Sequence, residues 1–515
     1  MRGGGRRRGG AIGVLDVDHP DVLEFIKAKE SGGLENFNLS VRVSNDWMSR
    51  VKEGRSAEVE VWKEICEQAW RTGDPGLLFA ESLNRDNPCP HLGECNVTNP
   101  CGELVLPPPF ACNLGSIDLS KFCVESAVGG WQQRIDWSRL KEVIHTAVRF
   151  LDCAIDVASY PFKDVEERMK ALRPVGLGVM GYADLLLKLG IRYGSEEALA
   201  VADKLGEVLK ASSQIASMEL RREKGSPPEC EDRRNALLNA IAPTGTLSII
   251  AGTSPGIEPV YAWECQRTIV TTGEVVQVVH PLYDSVKGAT KLPDYFVTAH
   301  EVTPEEHVRT LATWQRWIDG GVSKTVNLPN SATVEEVGQA FMLAWETGCK
   351  GITVFRDGCR ESQVLKGGRA GKRPRSVPGV THRIKVGCGT LWVTINELNG
   401  APYETFVQTG DAGGCPAQSK AIGKLLSLAL QHGISCEKIV DRLKGIRCMA
   451  CVRSEEAEAL SCPDAVVRLL DGSGGEKKGQ AHSQTGGGSC PVCGSDLVLL
   501  EGCYRCLSCS FSRCG

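Results

Sequence analysis

Asn99, Cys101 and Glu103, in the run Thr98-Asn99-Pro100-Cys101-Gly102-Glu103, set an amide, a thiol and a carboxyl at a spacing of two. In an extended segment alternate side chains face the same way. The three are therefore expected to project into one cavity, with Pro100 and Gly102 shaping the backbone between them. Such a set suits a nucleophile or radical beside a hydrogen-bonding partner and a base. A loop wrapped around a buried cysteine has the same spacing and is the plainer alternative from these residues alone. A second thiol follows in Ala111-Cys112-Asn113-Leu114-Gly115-Ser116. Farther along, Pro243-Thr244-Gly245-Thr246 comes after a strand-like run. Successive N–H groups in such a glycine-containing turn, with two hydroxyls, make a concavity for an anion, phosphate being the natural one. Turns of this composition also serve merely to connect elements.

The third constellation is Cys490-Pro491-Val492-Cys493 with Cys506-Leu507-Ser508-Cys509, two C-x-x-C knuckles separated by 12 residues. Four thiolates at this spacing suit tetrahedral zinc, and residues 490–515 are too few to fold on a hydrophobic core without such a staple. Cys503 and Cys506 form an equally good knuckle by spacing. With zinc on Cys490, Cys493, Cys506 and Cys509, the thiols of Cys503 and Cys514 remain for redox work. Cys448-x-x-Cys451 with Cys462 fits a further metal site, a thiol site or buried thiols equally. Cys66, Cys153, Cys265 and Cys349 lie on or beside apolar runs and read as core residues.

Helices and short apolar runs alternate through the first 358 residues, which argues for α/β architecture with a largely buried sheet. Trp137–Ser159 carries a sustained helical stripe, Glu196–Glu223 is a second long helix, and Thr333 with Glu336 forms a capping box opening a third. Strand-like runs are Ala11–Val17, Leu39–Val43, Leu237–Ile241 and Gly351–Phe355. Residues 359–381 are rich in Gly, Pro and basic side chains and read as a linker. Residues 382–470 read as a small α+β domain with a hairpin turn at Glu397–Gly400 and a helix over Ala417–Gln431. Residues 471–489 read as a flexible tether to the 490–515 tail.

With 515 residues, 42% hydrophobic and 24% charged, the chain has the composition of a multidomain globular protein. Its formal charge of -4 gives no global sign of a nucleic-acid or membrane-surface protein, and the basic stretch around Arg369 and Arg375 lacks interleaved aromatics. No run approaches the roughly 18 apolar residues that span a bilayer, and Met1–Gly10 predicts no secretory signal. A cytoplasmic protein is therefore expected. Twenty-three cysteines in such a chain read as metal ligands, redox groups or buried thiols rather than disulfides.

Together TNPCGE, ACNLGSIDLSKF, GLGVMGYADLL, NAIAPTGTLSIIAGTSPGIEP, SKTVNLPNSAT and GCKGITVFRDG resemble the large catalytic subunit of ribonucleotide reductases, with closest similarity to the adenosylcobalamin-dependent class. RRRGGAIGVLDVDHPDVLEFI and LENFNLSV fit the same family, and the match runs in order from Arg6 to about Leu365. The resemblance implies a ten-stranded α/β barrel with a central finger loop. It makes Cys101 the thiyl-radical cysteine that takes the 3′ hydrogen of a ribose and Glu103 the base for the 3′-hydroxyl proton. Asn99 would bond the substrate hydroxyls, and Cys112 would be one half of the reducing thiol pair. Pro243, Thr244, Gly245 and Thr246 would hold the substrate phosphate, Gly9 would lie near the sugar, and Leu34–Asn38 would join effector and substrate sites.

The implied cofactor is adenosylcobalamin, since Gly351–Arg356 has no tyrosine where the class fed by a second subunit carries a Tyr-Tyr pair. Substrates would be ribonucleoside di- or triphosphates and the reductant thioredoxin-like, with Cys503 and Cys514 on the mobile tail passing electrons inward. In the family the partner of Cys112 lies before the RRRGG segment. A fragment or a split gene is therefore expected, completed by another polypeptide or acting within a homodimer, and this chain alone is expected to be inactive or impaired. The two rival readings are a non-catalytic zinc-ribbon module on a degenerate barrel and the catalytic chain of the two-subunit class.

Overall fold

The computed structural model describes the chain except residues 1, 4–6, 9, 31–33, 35, 231, 269–274, 284–291, 360–364, 368–375, 399–400, 411–415, 432–433, 435, 472–489, 491–496, 501–502, 507–511 and 515. Gly9, Cys493 and Cys509 therefore lie outside the described residues. The chain divides into two compact units, Met1–Gly368 and Arg369–Gly515.

In the first unit the strands are β1 (Ala11–Asp16), β2 (Phe37–Val43), β3 (Gly76–Phe79), β4 (Leu114–Asp118), β5 (Gly176–Met180), β6 (Glu264–Thr268), β7 (Val275–Val279), β8 (Thr325–Leu328), β9 (Gly351–Arg356) and β10 (Leu365–Gly367). A five-stranded sheet runs β8-β9-β3-β2-β1, parallel except between β9 and β3. β4 pairs in parallel with β5. Parallel bridges Leu177↔Asn239 and Ile241↔Val322 then carry the pairing from β5 through residues 239–241 to the segment entering β8. The result is eight successive sheet positions among the described residues, a curved α/β sheet of which the expected ten strands are not all seen. β3 and β5 are buried along their whole length, as strands covered on both faces must be, which is why their sequences are apolar without alternation.

The predicted helices form at Trp137–Val157, Glu196–Lys224 and Val334–Glu346. The third is closed by the Thr333/Glu336 capping box, and Gly348 just past its end takes a positive φ of 73°. Their apolar stripes (Ile144 and Val148, Leu205 and Leu209, Val337 and Phe341) join Val41, Phe79, Val179 and Val326 in one core.

Three local expectations need correction. Leu237–Ile241 is not a strand but two isolated bridges, because the Asp319 carboxylate takes the N–H groups of Leu238 (3.0 Å) and Asn239 (2.7 Å) that a neighbouring strand would use. The stretch read as a linker contains β10, which pairs antiparallel with β6, and its end already belongs to the strand beginning at Gly379. Of the cysteines read as core, Cys66 and Cys349 are buried, but Cys153 is exposed and meets Lys224 Nζ at 3.2 Å, because it falls on the outer side of its helix.

The second unit holds an antiparallel sheet of Gly379–Val386, Gly389–Leu398 and Ala401–Gly410, backed by the Pro416–Gln431 helix. Leu391, Val393, Val407, Leu426 and Val466 form its core. Near its end, Leu497–Leu500, Cys503–Cys506 and Ser512–Cys514 make a small antiparallel sheet. Among the described residues no helix is long and apolar enough to cross a membrane.

Candidate active site

Residues 98–105 form a loop closed at its base by an antiparallel bridge between Thr98 and Val105. The extended reading of Asn99–Glu103 is corrected here. The Gly102 N–H donates to the Asn99 carbonyl at 2.9 Å and Gly102 takes a φ of 82°, so the backbone turns sharply at the tip. Asn99, Cys101 and Glu103 are still brought together, by the turn rather than by strand alternation. Cys101 is exposed at the tip, Asn99 is half-buried with its Oδ1 accepting the Leu104 N–H at 3.0 Å, and Glu103 is only 2% exposed.

Two contacts from opposite sides hold this loop. Asn38 Nδ2, on β2, donates to the Pro100 carbonyl at 2.7 Å, and the Gly321 N–H donates to the Glu103 carbonyl at 2.7 Å. The second contact needs glycine. A Cβ on Gly321 would fall inside contact distance of the Gly102 carbonyl oxygen, and one on Gly320 would lie 2.9 Å from that of Glu103. Sequence reasoning missed Gly320 and Gly321; the Gly-Gly pair just before a strand was the available signal.

The electrostatics favour protonated groups. Burial pushes the Glu103 carboxyl above its ordinary range, opposed by its own backbone N–H and by the Asn99 amide. Its Oε2 is buried without a hydrogen-bond partner among the described residues. Cys112, just ahead of β4, has exposed surface, yet desolvation, with the charges of Glu103 and Cys101 facing it, pushes its thiol up to about 11. Two thiols and a carboxyl therefore share one neighbourhood, with the thiol of Cys112 holding its proton at neutral pH.

Thr244 adopts a positive φ of 51°, fixed by its hydroxyl accepting the Gly256 N–H at 2.8 Å and its carbonyl accepting the Ser248 N–H at 2.8 Å. Gly245 and Thr246 beside it are exposed, and nothing crowds Gly245. A cavity of about 310 Å³ has Cys101, Gly102 and Pro243 in its wall, with Asn38 and the β9 residues Gly351–Phe355.

In the second unit the Gly387 N–H donates to Cys451 Sγ at 3.3 Å. Burial, with Cys448, Cys462 and Cys388 nearby, raises that thiol to about 11. Among the described residues no three His, Cys, Asp or Glu side chains are arranged to hold a metal ion. Cys490 is buried. Strand register sets Cys506 opposite Leu497 and Cys503 opposite Cys514, so Cys506 lies at the end of its strand away from Leu500 and Cys503 at the end opposite Leu500.

Fold and site together describe an α/β sheet enclosing a loop that presents a thiol beside a buried carboxyl. The ribonucleotide reductase barrel-domain family matches residues 1–59, 55–233 and 231–355, and the TSCPD domain family matches 363–472. This chain belongs to the ribonucleotide reductase family. It is 39% identical over 420 residues to the vitamin B12-dependent ribonucleoside-diphosphate reductase of Thermoplasma acidophilum, covering 72% of this chain and 54% of the relative. With the protein of the same name from Mycobacterium tuberculosis it shares 41% over 412 residues, 70% of this chain and 58% of the relative. The chain thus spans little more than half the length of these curated relatives. The Actinobacillus ureae class Id ribonucleotide reductase alpha subunit superposes with a TM-score of 0.58 at 22% identity, covering 68% of this chain and 71% of that one, which is likeness of fold.

Proposed function

We propose that these residues form the catalytic half of an adenosylcobalamin-dependent ribonucleotide reductase, whose barrel has ten strands once complete. The observation that carries this reading is Cys101 exposed on a turn beside the buried Glu103 carboxyl, whose Oε2 has no hydrogen-bond partner among the described residues, and the Cys112 thiol. The names of the Thermoplasma and Mycobacterium relatives support the cobalamin class, as does the absence of tyrosine from β9. The cavity has the size of a nucleoside and not of a corrin: Ile12, Leu77 and Val354 offer apolar surface and Asn38 an amide around a space reaching Cys101, which would suit the adenosyl part of the coenzyme or the nucleoside of a substrate. When bound, adenosylcobalamin supplies the one-electron chemistry that makes a sulfur radical.

The chain's own groups do the rest. Thr244, Gly245 and Thr246 take the phosphate of a ribonucleoside di- or triphosphate on exposed N–H and hydroxyl groups. Cys101, as a thiyl, removes the ribose 3′ hydrogen, and Asn99 holds the ribose hydroxyls. Glu103 takes the 3′-hydroxyl proton. Cys112, protonated at neutral pH, gives a proton to the departing 2′-hydroxyl, which leaves as water. Cys112 and a second thiol then give two electrons and the second thiol's hydrogen to C2′ and close a disulfide, while Glu103 returns its proton to the 3′ oxygen and Cys101 returns the 3′ hydrogen to the ribose, becoming a thiyl again. A thioredoxin-like dithiol reopens it through Cys503 and Cys514, which the register sets opposite each other. This thiol economy belongs in a reducing cytoplasm, and the working enzyme is a homodimer or a complex with a complementing polypeptide.

In the complete assembly, mixing coenzyme with ribonucleotide is expected to give a cobalt-coupled paramagnetic signal that Cys101→Ser removes. A signal that persists in this variant defeats the proposal. Cys490, Cys493, Cys506 and Cys509 bind zinc on this reading. Metal analysis should find one zinc per chain, lost in Cys490→Ser; equal zinc in both proteins removes the ribbon from the account.

A further inference from the structure

Lys324 is a wholly enclosed ammonium that nothing in the reaction above uses: its side chain has 0% exposure. Its three N–H bonds are all taken, by Glu258 Oε2 at 2.7 Å, His307 Nδ1 at 2.8 Å and the Thr325 carbonyl at 3.0 Å. His307 Nε2 lies 3.1 Å from the Ala299 carbonyl and therefore carries the ring proton, which leaves the ring neutral and Nδ1 free to accept from the ammonium. The second Glu258 oxygen accepts the Thr325 N–H at 2.7 Å. The partly buried Glu258 carboxylate thus neutralises a fully buried ammonium, whose desolvation an apolar side chain of the same size would avoid. Such a pair needs a reason.

The reason lies in what each partner is attached to. Glu258 ends the segment whose Gly256 N–H holds the Thr244 hydroxyl at 2.8 Å, the bond that fixes the left-handed Thr244 backbone of the anion loop. Lys324 follows directly on the Gly320–Ser323 stretch. There Gly321 bonds the Glu103 carbonyl, and Ser323 donates to the Ile241 carbonyl at 2.8 Å, just before that same anion loop. Lys324 and Glu258 both reach the wall of the cavity that contains Cys101. One ion pair, with its lysine enclosed and its glutamate partly buried, therefore ties the strap behind Thr244 to the stretch that carries the Cys101 loop.

We propose that Lys324, through Glu258, is a positioning residue that sets the anion loop in register with the Cys101 loop, so that a ribonucleotide held by its phosphate presents its ribose to the thiol. This rests on the function proposed above and adds what fixes the substrate's register. The Lys324 ammonium spends all three N–H groups inside the protein, so the effect passes through Gly256 and Thr244. A conserved shape without the pair is the appropriate comparison, because removing one charge alone would strand the other.

The test is the double variant Lys324→Met/Glu258→Gln in the complete, cobalamin-loaded enzyme. Expected are a KM for the ribonucleotide raised about tenfold or more, equivalent to at least about 1.4 kcal/mol of lost binding, and an undiminished coenzyme-dependent cobalt signal. An unchanged KM overturns the proposal, as does loss of the cobalt signal at unchanged KM, which would place the pair on the radical side. If the double variant does not fold, Lys324→Arg keeps the charge but not the three-way geometry, and the same split between KM and cobalt signal decides. Failure of the underlying function is recognised separately, because the wild-type enzyme would then give no signal dependent on Cys101.

Discussion

Cys101 stands exposed on the tip of a turn held from two sides by Asn38 and Gly321, whereas Cys451 is buried under the Gly387 turn with three other thiols around it. The second unit holds the larger share of the cysteines, 12 of the 23 lying between Cys388 and Cys514, although Cys89, Cys95, Cys112 and Cys123 flank Cys101 in the chain. Reactivity does not follow this density. Burial pushes the Cys451 thiol up to about 11, so it keeps its proton and reacts slowly. Cys101 is offered to a cavity, and the groups near it are a carboxyl and a second thiol. The loop's distinctive feature is backbone support, not sulfur content.

The largest expected effect separates the two regions outright. Cys101→Ser should reduce turnover to background and leave the melting temperature of the barrel unit in place, since an exposed tip residue contributes little packing. Cys451→Ser should do the reverse: turnover persists, while the second unit loses about 1–3 kcal/mol through a hydroxyl forced into an apolar site. Calorimetry alongside turnover checks both, and a Cys451→Ser protein that melts normally but is inactive would erase the contrast.

Next comes the support itself. Gly321→Ala drives a methyl into the Gly102 carbonyl, so the turn must shift by about an ångström to accommodate it. Misplacement on that scale costs about 10²-fold in rate when reacting groups must meet in line. Turnover should fall by about that factor with Cys101, Glu103 and Cys112 all present. Near-normal turnover would mean that the loop is positioned by Asn38 alone.

These two glycines also mark the limit of what the sequence discloses. The Thr333/Glu336 box and the helix over Trp137–Val157 were legible because their causes are local: a hydroxyl three residues from a carboxylate, and apolar residues at helical spacing. The membership of the site was legible too, since Asn99, Cys101 and Glu103 are adjacent in the chain. Its shape was not. The turn closes on a local bond from the Gly102 N–H to the Asn99 carbonyl and is held by a contact from Gly321, more than 200 residues away, and a period-two rule applied to the loop carries neither. Leu237–Ile241 misled for the same reason, because the Asp319 carboxylate, far along the chain, claims its N–H groups. Lys324 gave no signal at all; a lysine before a strand reads as solvated until the fold encloses it.

The smallest effect concerns the charge on Glu103, and its sign follows from burial. Burial favours the neutral carboxyl and raises its pKa above the ordinary 4.5, while its own backbone N–H and the Asn99 amide pull it down. The folded state therefore prefers the protonated form. This contribution to stability is present at low pH and is lost as pH rises from the ordinary carboxylate value through the raised one. Activity moves the other way, because a carboxyl that already holds a proton takes no second one from the 3′-hydroxyl. The acid limb of kcat/KM should accordingly lie above 4.5, at the folded-state pKa of Glu103. Asn99→Ala removes a group that stabilises the carboxylate, so that limb should move further up, beyond any uniform loss of rate from the missing substrate contact. A limb that stays put or falls would show that the amide does not act on Glu103. The contrast with Cys451 would then rest on exposure alone.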